Sequence, residues 1–358
     1  MDFTFDAEQL ALQDVARRAM DEVDGDTLRG LADDDAGFTP ELWERLVSLG
    51  WTSMLIPGEG AGLLEMCIVL EQMGRVPLPG PFFSSAVAAT LAARALGEQD
   101  LLAELATGRV RGTVAVLEQG HGDPLATVRA RAVRKGSGWA LHGVKPVVVD
   151  GHTADWVIVA ALGEDGVRSF LVRAPAAELV PSLDPTRKLG RLVLDGTPAE
   201  PLGPAGSQTD LWWRVLDDVA VALAAESVGV SDRALELATE YAKVRVVFDQ
   251  PIATFQVVKH RIVDMFHALE LARVGVHYAA WSSDGDEPDR VRAAAMASAY
   301  AAEASVKVTG DDIQLHGGVG FTWANDAHFL FKRAKQNETL MGGSGHQWER
   351  LGVLFAGL

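Results

Sequence analysis

The chain has a single cysteine among its 358 residues, Cys67, which excludes an internal disulfide or a thiolate zinc cluster. Cys67 lies in the apolar run Met66-Cys67-Ile68-Val69-Leu70 and reads as a small core residue. Basic residues are scarce: 32 Lys and Arg face 49 Asp and Glu, giving a formal net charge of -17 and an isoelectric point near 4.9. A phosphate-backbone partner is therefore not expected, and the acidity reads as a solvated surface. No uninterrupted apolar stretch is long enough to span a bilayer. Nor does Met1-Asp2-Phe3-Thr4-Phe5-Asp6 pair a basic region with an apolar block, as a signal peptide would. These absences point to a cytoplasmic protein with neither nucleic-acid nor membrane partners.

What is present is a chain long enough for two or three domains, with 48% hydrophobic and 23% charged residues, as in ordinary globular proteins. Up to about Leu105 the pattern is helical. Thr39 before Pro40 forms an N-cap with Pro at the first helical position, and Leu42, Leu46 and Leu49 mark one face. Further helices are expected from Leu63 to Met73 and from Ser84 to Ala95, separated by Pro77-Leu-Pro-Gly-Pro81. From Gly108 to about Asp195 the period becomes strand-like, in short runs at 113–117, 126–133, 139–142, 147–149, 156–160, 169–172 and 191–194. Many short strands with tight turns suggest a compact antiparallel sheet. The remainder is helical again. Leu216, Leu223, Val230, Leu237 and Val244 recur every seven residues along one long helix, which Pro251 closes. Helices are also expected around 255–269, 293–308 and 327–335, reading as an antiparallel four-helix bundle. The fold class is therefore α+β: a helical domain over 1–107, an antiparallel β domain over 108–205 and a helical bundle over 206–358.

Two segments flank these long helices: Arg245-Val-Val-Phe-Asp-Gln-Pro-Ile-Ala-Thr-Phe-Gln256 and Gln314-Leu-His-Gly-Gly-Val-Gly-Phe-Thr-Trp323. In order, and with Lys259-His260 and Lys332-Arg333-Ala334-Lys335 following, they closely resemble flavin-contacting segments of the acyl-CoA dehydrogenase family. The helix, sheet, helix-bundle order resembles that family across nearly the whole chain. The resemblance implies FAD as cofactor and an acyl-CoA thioester as substrate. A carboxylate would remove an α proton while hydride leaves the β carbon for the flavin. It also implies that Arg245, Phe248, Gln256 and Gln314, with Gly317, Gly318 and Gly320, contact the FAD of a neighbouring subunit. An arginine fork suits a diphosphate, and glycines let backbone N–H groups approach one. Asp249 stands where the family motif has glycine.

Other positions depart from the family. After Lys145 the family usually places a tryptophan and a threonine beside the flavin ring; this chain has Pro146-Val147-Val148-Val149. The loop Leu117-Glu118-Gln119-Gly120-His121-Gly122-Asp123-Pro124 matches the family's only partly, lacking its serine. The tail position that most often holds the catalytic glutamate is Gly342. A second family arrangement puts the glutamate about eight turns before Phe248, where Val219 falls, with Asp217 and Asp218 beside it. Asp218 is the one weak candidate base, because neighbours on a helix point about 100° apart. Glu226, interior to the same helix, fits no base position. Asn325-Asp326 are candidates for polar contacts near a cofactor. His260, Asp264 and His267 share a helix face, but one helix rarely makes a metal site, and none is expected. His316 reads as a polar contact near the bundle end, and Trp212, Trp213 and Trp281 as core or interface residues.

The length, Pro77-Leu-Pro-Gly-Pro81 and Asp184-Pro-Thr-Arg187 resemble short actinobacterial members, some of which pair with a longer catalytic subunit in breakdown of steroid or other bulky acyl-CoA. The reading is a subunit of an FAD-dependent acyl-CoA dehydrogenase that holds the adenosine and diphosphate end, in an α2β2 heteromer whose partner supplies the base. A self-sufficient homotetramer using Asp218 and a structural or regulatory pseudoenzyme remain as alternatives.

Overall fold

A computed structural model describes residues 4–118 and 121–357. The chain starts with helices α1 (Ala7–Asp21), α2 (Gly25–Asp33), α3 (Pro40–Ser48) and α4 (Leu63–Gly74). Their starts follow local rules. The Asp6 carboxylate accepts from the N–H groups of Glu8 and Gln9, both at 2.9 Å, and Gln9 reaches back to the Asp6 N–H. Thr39 Oγ accepts from the Leu42 N–H at 3.2 Å, with Pro40 at the first helical position, as expected. The helix foreseen from Ser84 exists but opens differently: Phe82–Ala89 is wound as a π-helix before α5 (Thr90–Leu96). The Thr90 hydroxyl donates to the Ser85 carbonyl five residues back, matching that wider winding. α6 (Gln99–Ala106) follows.

Seven strands come next: β1 (Gly112–Ala115), β2 (Arg131–Lys135), β3 (Gly138–Val149), β4 (Trp156–Gly163), β5 (Gly166–Arg173), β6 (Glu178–Val180) and β7 (Leu189–Leu202). Antiparallel pairs run β2–β3–β7–β5–β4, and one parallel bridge, Arg131 to Leu162, joins β4 back to β2. The sheet thus closes on a core of Leu141, Val148, Val157, Val159, Phe170 and Leu192. Two details depart from the expected antiparallel pattern. β1 pairs parallel with β4, and the runs at 139–142 and 147–149 are one strand, bent by register shifts at Leu141/His142 and Lys145/Val148.

The C-terminal helices are α7 (Thr209–Val244), α8 (Gln256–Asp284), α9 (Arg290–His316), α10 (Ala327–Thr339) and α11 (Gly343–Ala356). A hairpin of β8 (Val246–Val247) and β9 (Gln250–Pro251) separates α7 from α8, so α7 stops at Val244 rather than at Pro251. The heptad stripe on α7 holds only in its middle. Leu216, Leu223 and Val230 are buried, whereas Val244 is 73% exposed. A seven-residue repeat drifts about 20° per heptad around a straight helix, so the stripe rotates out of the core. The N-terminal and C-terminal helices share one core, with Leu70 and Phe83 in the same cluster as Trp212, Met265 and Val308. Cys67 lies within it. Among the described residues, no helix is long and apolar enough to cross a membrane.

The α4–α7 crossing depends on two glycines. A Cβ on Gly229 would overlap the Glu71 carbonyl, and one on Gly74 would overlap the Glu226 carbonyl. We expect Gly229→Ala to force the helices apart and cost about 1–3 kcal/mol. Gly275→Ala, whose nearest neighbour would be 3.9 Å away, should be neutral or stabilising in the same thermal melts. Equal midpoints for the two variants would remove the crossing as a constraint.

Candidate functional site

Arg245 ends α7 by turning extended, its N–H still donating to the Tyr241 carbonyl at 2.9 Å. Phe248 and Asp249 then both take positive φ, 52° and 60°, at the tip of the two-residue hairpin. Aspartate tolerates that conformation better than most residues, which accounts for Asp249 where the family motif carries glycine. At the start of α8, Phe255 offers no side-chain acceptor, so the helix N-terminus stays uncapped. At the end of α9, Gly317 has φ 62° and folds its N–H back to the Gln314 carbonyl.

These pieces meet at one end of the bundle. The Tyr241 ring of α7 stacks on the His316 ring of α9 at 4.3 Å, and Arg261 of α8 pairs with Asp311 of α9 at 3.2 Å. Arg245, Phe248, Gln256, Gln314, Gly317 and Gly318 are all exposed there, Phe248 to 85%. Gly317 and Gly318 have open space where a Cβ would sit. Gly320 differs: it is buried, and a Cβ would press on the Ile313 carbonyl at 3.1 Å. Its lack of a side chain serves packing. Among the described residues, no carboxylate pairs with Arg245. An unpaired arginine, an uncapped helix N-terminus and two open glycines fit the diphosphate end of a dinucleotide.

The opposite applies around residues 118–149. Val148 is fully buried inside the closed sheet, Val147 packs against the helical core, and Pro146 has no N–H. Lys145 is fully buried, its Nζ 2.7 Å from Glu118 and 3.0 Å from the Val116 carbonyl. Burial pulls its pKa down to about 8, against the opposing pull of Glu118. The Glu118 carboxylate also accepts from the N–H groups of Arg129 and Ala130, so both of its oxygens are already engaged by the protein. Residues 119 and 120 of that loop lie outside the described residues. Gly122 donates to the Gly342 carbonyl at 3.1 Å, closing the loop onto the tail. Met341 and Gly342 are both buried at positive φ. The cavity beside them, lined by Leu223, Ser227, Asn337 and Met341, is about 20 Å³, room for a water at most.

The candidate base is already engaged. Asp218 is buried, accepts from the Ser283 hydroxyl, and lies 3.3 Å from Arg214 Nε and 4.0 Å from Arg94. Asp217 pairs with Arg350, 3.1 Å at its second contact, and burial pushes its carboxyl upward against that pairing. Asp326 pairs with Arg29 at 2.6 Å, and the Asn325 side chain accepts from the Ala327 N–H at 2.8 Å. His260, Asp264 and His267 lie exposed along α8. Trp212 is core, and Trp213 sits between His346 and Arg350.

Glu226 is the hub that sequence reasoning left unassigned. One oxygen accepts from Arg333 Nη1 at 2.6 Å; the other accepts from Arg187 Nη2 and from Asn337 at 2.8 Å. Arg333 also donates to Asp184 at 2.5 Å, to the Thr186 hydroxyl and to the Pro77 carbonyl. Its pKa is raised, the Asp184 and Glu226 charges outweighing its burial. Asp150, nearby, accepts from the Ser84 hydroxyl at 2.6 Å and is pushed up to about 6, chiefly by burial. The Asp184-Pro-Thr-Arg187 and Lys332-Arg333-Ala334-Lys335 motifs meet here through the buried side chains of Asp184, Thr186, Arg187 and Arg333.

Two family profiles match: "Acyl-CoA dehydrogenase, N-terminal domain" over residues 6–109 and "Acyl-CoA dehydrogenase, C-terminal domain" over residues 213–352. The acyl-CoA dehydrogenase IpdE2 of Mycobacterium tuberculosis is 33% identical over 315 residues, 86% of this chain and 84% of the relative. Among solved structures, a variant of the Tcur3481-Tcur3483 steroid ACAD superposes with a TM-score of 0.89 at 33% identity, covering 98% of both chains. The ChsE4-ChsE5 complex from Mycobacterium tuberculosis superposes at 0.90 and 29% identity, covering both chains fully.

Replacing Glu226 by alanine would strand two buried arginines. We expect Glu226→Ala to lower stability by about 3–5 kcal/mol in urea unfolding, the usual cost of breaking a buried pair from one side. A loss below about 1 kcal/mol would mean that water or Asp150 already neutralises the cluster.

Proposed function

The chain belongs to the acyl-CoA dehydrogenase family of FAD-dependent oxidoreductases, and we propose that it is the non-catalytic half of a heteromeric member. In this reading it holds the adenosine and diphosphate end of FAD at Arg245, Phe248, Gln256, Gln314, Gly317 and Gly318. A longer homologous subunit, in an α2β2 assembly, binds the flavin ring and the acyl-CoA and supplies the base. The observation that supports the reading is the contrast between the two ends: Arg245 is exposed and unpaired, while Val147 and Val148, packed into cores, stand where the family usually carries its ring-flanking tryptophan and threonine. The names of the similar structures, a steroid ACAD and a two-component complex, support a bulky acyl-CoA and a homologous partner.

FAD supplies the hydride acceptor for α,β-dehydrogenation. This chain's own contribution is position and charge. Arg245 can donate two parallel hydrogen bonds to a diphosphate, and the N-terminal pole of α8 favours the same anion. Phe248, held at the hairpin tip, presents an apolar face beside them. No proton-transfer step falls to Asp217 or Asp218, because arginines already neutralise both. A self-sufficient enzyme using Asp218 would first have to break those pairs.

In the assembled protein, Arg245→Ala should weaken FAD binding by about 1.5–3 kcal/mol, roughly ten- to hundredfold. Unchanged affinity would make Arg245 a bystander. Asp218→Asn should leave acyl-CoA-driven, anaerobic flavin bleaching within a few-fold of the parent. If that variant retains FAD and helix content yet no longer bleaches, the base lies in this chain.

A further inference from the structure

The glycine-rich turn sits at the C-terminus of α9, the negative pole of a 27-residue helix. That is the unfavourable end for an anion, carrying about half a negative charge. His316 is the last helical residue before Gly317, and it is buried. Its Nδ1–H donates to the Asp312 carbonyl at 3.0 Å, and Nδ1 lies 2.9 Å from the Asp312 carboxylate. The carboxylate thus stands in charge contact with the ring. Neither oxygen of that carboxylate, which is fully buried, accepts any hydrogen bond from the protein. Burial pushes the Asp312 carboxyl upward, and His316, the cation in reach, pulls it back toward the charged form. Among the described residues, none hydrogen-bonds His316 Nε2.

We propose that His316, clamped by Asp312 below and the Tyr241 ring beside it, is a positioning residue for the flavin dinucleotide's diphosphate. The inference rests on the functional reading above. As an imidazolium, His316 cancels the negative pole of α9 beneath Gly317 and Gly318 and leaves Nε2–H as a free donor. The facing groups are few: Asp312 on its own helix, Tyr241 on α7, and Arg233 on α7 acting on Asp312 from farther away. The geometry sets the direction of the pH effect. Burial alone would lower the His316 pKa, but its hydrogen bond and charge contact with Asp312 outweigh burial and raise it above 6.5. The charged form, and with it the tighter dinucleotide binding, is present below that raised value and is lost as pH rises through it.

The test is FAD affinity of the co-expressed complex, read by flavin fluorescence from about pH 5.5 to about pH 8.5 around the ordinary histidine value. Parent affinity should fall about tenfold across the range, one charge contact's worth. His316→Gln should flatten the profile at the weak, high-pH level. Asp312→Asn should move its midpoint down. Arg245→Ala should weaken binding at every pH and keep the slope. An unchanged slope in His316→Gln, with Arg245→Ala weakened as expected, overturns this inference alone. No effect of Arg245→Ala on FAD binding overturns the functional reading as well. NMR titration of the His316 ring in the isolated chain gives a readout independent of flavin. A midpoint above 6.5 that falls in Asp312→Asn supports the clamp, and one at or below 6.5 contradicts it.

Discussion

The buried pairing of Glu226 with Arg333 and Arg187 fixes how the rest of the molecule is arranged. It ties α7 to α10 and to the 184–187 segment that leads into β7, and Arg333 adds the Pro77 carbonyl at the end of the α4 connection. Charges at this depth are tolerated only when their partners sit in hydrogen-bonding geometry, so each segment is locked to the others within a fraction of an ångström. Gly74 and Gly229 let α4 and α7 approach closely one turn away, with the Glu226 carbonyl itself in the contact. The two ends of the bundle are thereby held in fixed relation to the closed sheet.

Given that frame, the two expected halves of a flavin site fare differently. Around the proposed ring half, Val147 and Val148 pack into cores, Lys145 pairs with Glu118, and the 121–124 loop rests on Gly342. The segments proposed to hold the dinucleotide are solvent-facing, with apolar Phe248, Val257 and Phe321 exposed near an unpaired Arg245. Exposed aromatic and aliphatic groups around an unpaired cation are what a surface looks like before a partner covers it.

Local signals in the sequence were enough for much of this. The Thr39-Pro40 cap, the helix-to-strand change near Gly108 and the existence of α7 to α10 follow from periodicity and capping alone. α11 has no counterpart among the expected helices; Gly342 at φ 94° turns the chain into it. Glu226 could be recognised as interior, but its partners Arg187 and Arg333 lie 39 and 107 residues away, beyond any local pattern. The same limit hid the engagement of Asp218 by Ser283 and of Asp326 by Arg29. The motif segments were legible as motifs. That Gly320 serves packing while Gly317 and Gly318 face open space needed coordinates.

The central claim is that this chain carries one end of a flavin site and lacks the other. The visible spectrum of the chain purified alone, against that of the chain co-expressed with a longer homologous subunit, tests it most directly. The account predicts a colourless protein alone and a yellow complex with FAD retained through dialysis. A yellow homo-oligomer holding one FAD per chain would contradict it.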